Sequence, residues 1–229
     1  MKREELAKKI ESRIFDINID YPNVTNLCYE AERYGFCAVQ VFPCMVELCV
    51  KTIQAPDIKV NALISYPHGG FSIEQKAAEV KDAVKKGATE VEVVMNTREA
   101  KTHNYDYIER EMKAVMDAAN GKATVKFIIE IEVLTDEEAT ETCKAAVRAG
   151  VDYIVTSTGL YHTLDENKND VPLYANEKDI KLIRAAVGDK VKIQAQGYIS
   201  SAALAEKLLT AGADRITTEY AKQVIIETV

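Results

Sequence analysis

One pattern recurs four times along this chain of 229 residues. In each copy an amphipathic helical segment ends at a glycine and a β-rich run follows, as in AERYGFCAVQV and AVRAGVDYIVTS. The glycines are Gly35, Gly87, Gly150 and Gly212. They lie 52, 63 and 62 residues apart, which is twice the length of a typical helix-plus-strand unit, so an unmarked unit fits between each pair. The pattern therefore predicts eight strands that alternate with helices.

Apolar periodicity and helix-breaking residues predict where these elements lie. Strands are predicted at 13 to 17, 37 to 42, 60 to 65, 90 to 95, 124 to 131, 152 to 157, 190 to 195 and 214 to 218. Helices are predicted at 73 to 86, 104 to 119, 135 to 149, 177 to 187 and 200 to 211. Asn176, Ser200 and Ser201 are suited to cap the last two helices.

The alternation of strands and helices favours an α/β fold of the closed (β/α)8 TIM-barrel type. An open doubly wound sheet is the alternative, but no glycine-rich phosphate turn follows the first strand. A TIM barrel takes about 200 to 250 residues, so we expect residues 1–229 to form a single domain.

Composition and charge exclude several classes of function. The net charge is −7 with both signs spread along the chain, which argues against nucleic acid as a partner because phosphate neutralisation needs clustered Lys and Arg. No run approaches the roughly 18 apolar residues of a membrane span, and the charged N-terminus lacks a signal sequence, so we expect a cytoplasmic protein without membrane contact. Five cysteines without a further ligand pattern favour reduced thiols, no metal and no cofactor.

In a TIM barrel, function lies at the C-terminal ends of the strands. Unusual polar residues occupy those predicted ends: Asp16, Asn18, Cys44, Tyr66, His68, Asn96, Glu130, Glu132, Thr156 to Gly159, Gln194 to Gly197 and Thr217 to Glu219. For Cys44, the neighbouring Phe42 and Met45 make packing an alternative to ligand contact. The connection from 161 to 177 is long for such a barrel and is expected to act as a lid or as a subunit contact.

Several of these segments resemble the deoxyribose-phosphate aldolase family. Asp16 with Asn18 resembles the first-strand Asp-x-Thr of that family, and FPCMV (42–46) its Asn-Pro-Cys-x-Val. ISYPHGG (64–70), VKFIIE (125–130) and TSTG (156–159) are similar to further family motifs. The resemblance covers nearly the whole chain. It implies a TIM barrel and the class I cleavage of 2-deoxyribose 5-phosphate into acetaldehyde and glyceraldehyde 3-phosphate.

The resemblance also implies where the substrate binds, and departures from the family fall in that region. The implied contacts are Asn18, Cys44, Val155, Thr156, Thr158, Gly159, Gln194, Gly197, Thr218 and Glu219. The family's Schiff-base lysine is replaced by Val155, which cannot form an imine, and its second lysine by Gln194. Tyr198 replaces a glycine, while Glu92 keeps the family's fourth-strand carboxylate on a longer side chain.

The predicted phosphate end differs as well. Thr217, Thr218 and Glu219 replace the family's Gly-Thr-Ser, and a carboxylate beside a phosphate dianion would repel it. Glu219 is alternatively an exposed acid at the start of the last helix, where it would suit the helix dipole.

Glu92, Lys126 and Asp16 are the candidate catalytic residues that remain. Because alternate strand residues face the same way, Glu92 and Lys126 are assigned to the barrel interior. Lys126 is the best remaining amine for an imine, with Glu92 moving the proton. The alternative is that Lys126 forms a fixed ion pair inside the barrel.

Three functional hypotheses follow for a partner that is a small sugar or hydroxy-aldehyde. The first is a divergent lyase that uses Lys126. The second is an imine-independent carbonyl isomerase or lyase that uses Glu92 or Glu130. The third is a non-catalytic sugar-binding homologue. Family likeness also suggests a homo-oligomer.

Overall fold

A computed structural model describes residues 1–16, 18–164, 167–172 and 176–228. Its strands are β1 (Ile10–Arg13), β2 (Ala38–Val41), β3 (Lys59–Ile64), β4 (Glu90–Val94), β5 (Thr124–Ile128), β6 (Tyr153–Val155), β7 (His162–Leu164), β8 (Asp170–Pro172), β9 (Lys192–Gln196) and β10 (Arg215–Thr218). Its helices are α1 (Arg3–Ala7), α2 (Tyr21–Tyr34), α3 (Val46–Thr52), α4 (Ile73–Lys85), α5 (Thr97–Lys101), α6 (Tyr105–Ala119), α7 (Asp136–Ala149), α8 (Glu177–Val187), α9 (Ala202–Ala211) and α10 (Ala221–Glu227). Two short 3-10 turns lie at Pro43–Met45 and Ile131–Val133.

Eight of the strands close into a parallel barrel in the order β1-β10-β9-β6-β5-β4-β3-β2. Helices connect them, so the predicted (β/α)8 TIM barrel is confirmed. The strands are buried on both faces, as parallel strands under a helical layer must be. On β4, Val91 and Val93 belong to the main apolar core, while Glu90 and Glu92 alternate with them.

The repeated glycines end helices as the sequence pattern predicts. Gly35 and Gly150 have φ angles of 74° and 75° and follow the last turns of α2 and α7 in the left-handed conformation. That conformation costs little for glycine and strains other residues. The predicted N-caps of the later helices are confirmed at Asn176 and Ser201, whose side chains accept hydrogen bonds from backbone N–H groups of α8 and α9.

The first strand is the main correction to the predicted elements. It begins at Ile10 and ends at Arg13, whereas the sequence favoured 13 to 17, a range whose last residue lies outside the described residues. Its inward side chains, Glu11 and Arg13, are charged yet buried, so they hide the apolar signal that marks the other strands. The fifth strand also ends earlier than expected, at Ile128, because Glu130 adopts a left-handed backbone with φ of 53°.

The long connection contains an element that the sequence did not predict. β7 and β8 pair as an antiparallel hairpin beside the barrel. Residues 165–166 and 173–175 of this connection lie outside the described residues, so the expected lid or subunit contact remains a prediction. No helix within the described ranges is long and apolar enough to cross a membrane.

Candidate functional site

An apolar layer fills the barrel interior at the C-terminal ends of β3, β4, β5 and β6. It consists of the buried side chains of Leu63, Val94, Ile128 and Val155, with Phe15, Phe42 and Tyr66 packed against them. Val155 has no exposed surface. The position that the family resemblance gives to the imine-forming lysine is therefore filled by hydrocarbon and surrounded by hydrocarbon.

A charged network lies one layer nearer the N-terminal ends of the strands, centred on Lys126. The Lys126 ammonium nitrogen is 2.5 Å from Glu11 Oε2, 2.5 Å from Glu90 Oε2 and 2.9 Å from Gln194 Oε1. An ammonium group has three donors, and three acceptors here surround it. Arg215 Nη1 adds a contact of 2.8 Å to Glu90. Lys126 thus forms the fixed ion pair that the sequence offered as the alternative to imine formation.

The electrostatics of this network keep Lys126 protonated. Burial opposes its charge, but the carboxylates of Glu11 and Glu90 outweigh burial and hold the Lys126 pKa above its ordinary value. An amine must lose its proton before it can attack a carbonyl carbon. Lys126 is therefore poorly suited to form an imine.

Glu92 lies beside Lys126 in the same layer and is fully buried. Its Oε2 accepts hydrogen bonds from Asn61 Nδ2 at 3.0 Å and from Gln194 Nε2 at 2.8 Å. Its Oε1 has no hydrogen-bond partner. Burial and the nearby charge of Glu11 raise the Glu92 pKa to about 7.

Gln194 connects the two predicted catalytic residues. Its amide oxygen accepts from Lys126 while its amide nitrogen donates to Glu92. A lysine has donors only and could not accept from the Lys126 ammonium. Gln194 therefore satisfies this network in a way that a lysine at its position could not.

The mouth of the barrel, above the apolar layer, is organised around Arg13. Its Nε donates to Glu219 Oε2 at 2.8 Å and its Nη1 to the carbonyl oxygen of Thr158 at 2.8 Å. The guanidinium lies 4.4 Å from the centre of the Phe15 ring, within the range of a cation–π contact. Arg13 Nη2 is buried and has no hydrogen-bond partner.

Two glycines allow the turns at the mouth to approach this guanidinium. A Cβ atom placed on Gly159 would lie 2.8 Å from Arg13 Nη2 and 3.2 Å from the Cα atom of Gly197. Gly159 also has a φ angle of 75°, which other residues rarely adopt. Both predicted contact residues therefore serve first to bring the turns after β6 and β9 together.

The hydroxyl groups of the TSTG turn and of β10 are used within the protein. Thr156 Oγ1 donates to the carbonyl oxygen of Gln196 at 2.7 Å, and Thr218 Oγ1 donates to that of Ile199 at 2.7 Å. Thr156, Thr158 and Thr218 have no exposed surface. These predicted contact residues therefore stabilise the backbone of the turns at the mouth through internal hydrogen bonds.

Glu130 and Tyr66 bring two further unpaired polar atoms to the same end of the barrel. Glu130 Oε1 accepts from the backbone N–H of Thr158 at 2.9 Å, while its Oε2 is buried without a partner. Burial raises the Glu130 pKa to about 7, although the charge of Arg13 acts to lower it. The Tyr66 hydroxyl is likewise buried and unpaired. Burial raises the Tyr66 pKa, and the charge of Glu130 raises it further.

A cavity of about 830 Å³ opens at this mouth. Its lining includes Arg13, Phe15, Phe42, Tyr66, Leu160 and Glu219. Glu92, Lys126 and Val155 are absent from the lining. The cavity extends from the mouth along β1 towards α2 and α10, and its lining includes no member of the charged network.

Three predicted residues lie on the surface near the mouth. Asp16 lines the cavity, and its Oδ1 accepts from the backbone N–H of the exposed Asn18 at 2.7 Å. Cys44 is exposed in a 3-10 turn, so the expectation that it packs with Phe42 and Met45 is wrong for its thiol. The 3-10 turn after β2 directs this side chain outward, away from the apolar layer.

Sequence reasoning missed Glu11, which contacts Lys126 in the charged network, and Arg13, which organises the mouth of the barrel. A strand placed from Ile10 would have put both on one face by the two-residue period, and that was the usable signal. Among the described residues, no cluster of His, Cys, Asp and Glu could hold a metal ion.

The raised pKa of Glu92 leads to a prediction about stability and pH. Because this pKa is about 7 in the folded chain and 4.5 for an ordinary glutamate, the stability that protonation provides is present below about pH 4.5 and is lost as the pH rises through about 7. Glutamine resembles the protonated acid and does not ionise. From about pH 5 to about pH 8, Glu92→Gln should therefore gain about 2–3 kcal/mol of unfolding free energy relative to the native chain.

Urea unfolding at the two pH values measures this difference. Glu47→Gln is the matched control, since the Glu47 side chain is 59% exposed and its substitution should leave the native pH dependence unchanged. The same pH dependence in the native chain and in Glu92→Gln would contradict the burial of an ionisable Glu92.

Comparison with known proteins gives a consistent assignment. The sequence model of the DeoC/LacD family aldolases matches residues 5–190. A deoxyribose-phosphate aldolase from Clostridium perfringens is 39% identical over 216 residues, which are 94% of this chain and 92% of that protein. The tetrameric deoxyribose phosphate aldolase from Aeropyrum pernix superimposes with a TM-score of 0.85 at 26% identity, covering 98% of this chain and 91% of that one. The aldolase QR15 has a TM-score of 0.88 at 27% identity and covers 97% and 95%. The chain therefore belongs to the DeoC/LacD aldolase family.

Proposed function

We propose that this family member binds a small sugar or hydroxy-aldehyde at the barrel mouth without forming an imine. The observation that carries the proposal is the burial of Val155 in the apolar layer, together with the absence of Lys126 from the cavity lining. Lys126 is also held by three acceptors and kept protonated. The hypothesis that imine chemistry moved to Lys126 receives no support from this geometry.

Three unpaired polar atoms support a hydroxylated or carbonyl ligand. Arg13 Nη2 is a donor, the Tyr66 hydroxyl donates and accepts, and Glu130 Oε2 accepts when ionised and donates when protonated. Buried polar atoms without a partner are costly, and a ligand that pairs them recovers that cost. Phe15 and Phe42 add the apolar surface on which the carbon skeleton of a sugar can pack.

The proposal includes a single barrel domain that requires no cofactor. It also includes a homo-oligomer, which the tetrameric relative from Aeropyrum pernix supports. Tyr21 at the start of α2 is 67% exposed and is a candidate for such a contact.

Borohydride reduction in the presence of 2-deoxyribose and of its 5-phosphate tests the absence of an imine. Lys222 lines the cavity, but its hydrogen bond to Glu30 holds its pKa above the ordinary value. The intact mass of the chain should therefore stay unchanged, while a deoxyribose-phosphate aldolase treated in parallel should gain the mass of the reduced adduct. An adduct on Lys126 would contradict the proposal.

Thermal unfolding across a panel of sugars and hydroxy-aldehydes tests binding in the same preparation. A bound ligand should raise the unfolding temperature, and Tyr66→Phe should weaken binding about fivefold because it removes one hydroxyl partner. Tyr29→Phe is the matched control, since Tyr29 is exposed on α2 and should leave binding unchanged. If no compound in the panel shifts the unfolding temperature, the binding proposal fails.

A second candidate function is imine-independent proton transfer at a carbonyl carbon, with Glu130 as the base. It is favoured by the Glu130 pKa of about 7 together with the unpaired Oε2 close to the charge of Arg13. A base is most effective when its pKa lies near the working pH. Glu92, the sequence candidate for this role, lies deeper in the barrel, in the charged network with Gln194, and neither Glu92 nor Glu130 belongs to the cavity lining.

Exchange of deuterium from solvent into a bound hydroxy-aldehyde, followed by NMR, tests this candidate. The native chain should catalyse exchange and Glu130→Gln should lose at least about 100-fold of the rate, since a positioned base contributes 10²–10⁴-fold. Glu92→Gln should keep the native rate. Exchange that survives in Glu130→Gln would exclude the role of Glu130.

A further inference from the structure

The Arg13 guanidinium is an unusual cation for the mouth of a barrel because its side chain is only 1% exposed. Such a buried charge is stable only beside a compensating charge and a set of hydrogen-bond acceptors. Thr158 supplies a carbonyl acceptor and Phe15 an aromatic face, and both are neutral. The guanidinium still requires an anion.

Glu219 supplies that anion from the turn after β10. Its Oε2 lies 2.8 Å from Arg13 Nε, and its side chain remains 30% exposed on the cavity side. The carboxylate therefore neutralises Arg13 from the direction by which a ligand would enter. Arg13 Nη2 stays unpaired, so the guanidinium retains one donor for a neutral oxygen.

The acidic groups around Arg13 oppose the entry of an anion. The turn after β6 packs on one side of the guanidinium, where a Cβ atom on Gly159 would collide with Nη2. Glu130, which interacts with Arg13, adds a second acidic group at this end of the barrel. An incoming dianion would meet Glu219, and Glu130 in its ionised form, before it reached Arg13.

We infer that Glu219 determines specificity by acting as a built-in anion on Arg13, so that the mouth accepts uncharged sugars or hydroxy-aldehydes and rejects phosphorylated ones. This inference rests on the proposed function because it places the ligand at the same mouth. It adds the substrate class, which is unphosphorylated. It also assigns a selecting role to an acid that would otherwise be only a surface ion-pair partner.

The inference predicts that removal of the Glu219 charge creates an anion site. In Glu219→Gln the amide oxygen can still accept from Arg13 Nε, but the guanidinium charge is no longer neutralised. Inorganic phosphate should then bind at least about 10-fold more tightly than to the native chain, because charge-assisted hydrogen bonds to a guanidinium become possible. Thermal unfolding in phosphate, compared with chloride at equal ionic strength, measures this gain.

Two further variants test whether the phosphate effect in Glu219→Gln comes from Arg13. Arg13→Met combined with Glu219→Gln should lose the phosphate effect, and Glu47→Gln, at an exposed surface acid, should behave like the native chain. A phosphate effect in Glu219→Gln that depends on Arg13 supports the inference. No effect in Glu219→Gln, or an equal effect in the native chain, overturns it.

If Glu219→Gln does not fold in the absence of phosphate, refolding of this variant tests the inference instead. Refolding is then compared in phosphate and in chloride: recovery in phosphate alone supports the inference, and equal failure in both overturns it. The phosphate measurement requires no sugar. A chain that binds no sugar but gains phosphate binding in Glu219→Gln would therefore contradict the proposed function and leave the anion site intact.

Discussion

The contact of the Lys126 ammonium with Glu11, Glu90 and Gln194 is the interaction on which the rest of the barrel depends. These four side chains come from β5, β1, β4 and β9, so a single cation links strands on opposite sides of the closed sheet. A lysine can be buried to this degree only when its three donors are matched, and here the three acceptors include two carboxylates. The same match that permits burial keeps the amine protonated.

A second ion pair, between Arg13 and Glu219, controls the mouth, and the apolar layer lies between the two networks on the side of β3 to β6. Below the layer, Lys126 is enclosed by acids; above it, Arg13 is neutralised by Glu219. Val155 belongs to the hydrocarbon that separates these networks, and a lysine at that position would place a further charge in it. Val155, Gln194 and Glu219 are therefore parts of one interior, in which Val155 packs among apolar side chains, Gln194 links Lys126 to Glu92 and Glu219 pairs with Arg13.

Much of the fold follows from the sequence because the outward faces of the strands are regularly apolar and the helices end at recurring glycines. The position of β1 could not be predicted from the sequence, since Glu11 and Arg13 are charged residues whose burial depends on partners far along the chain. The hairpin of β7 and β8 was hidden in a polar connection without an apolar period. Of the candidate site, the interior position of Glu92 and Lys126 followed from strand alternation, whereas the location of the cavity depended on the three-dimensional packing of Phe15, Phe42 and Tyr66.

The central claim is that no amine in the barrel interior is free to form an imine, and the titration of Lys126 tests it most directly. NMR of the chain with ¹³C at the lysine Cε atoms, assigned with the Lys126→Arg variant, follows the protonation of this residue. The Lys126 resonance should keep the chemical shift of an ammonium until the chain unfolds in alkali, beyond the point near pH 10.4 at which a lysine in a model peptide titrates. A Lys126 resonance that titrates near neutral pH would contradict the account, because it would show an amine ready for chemistry.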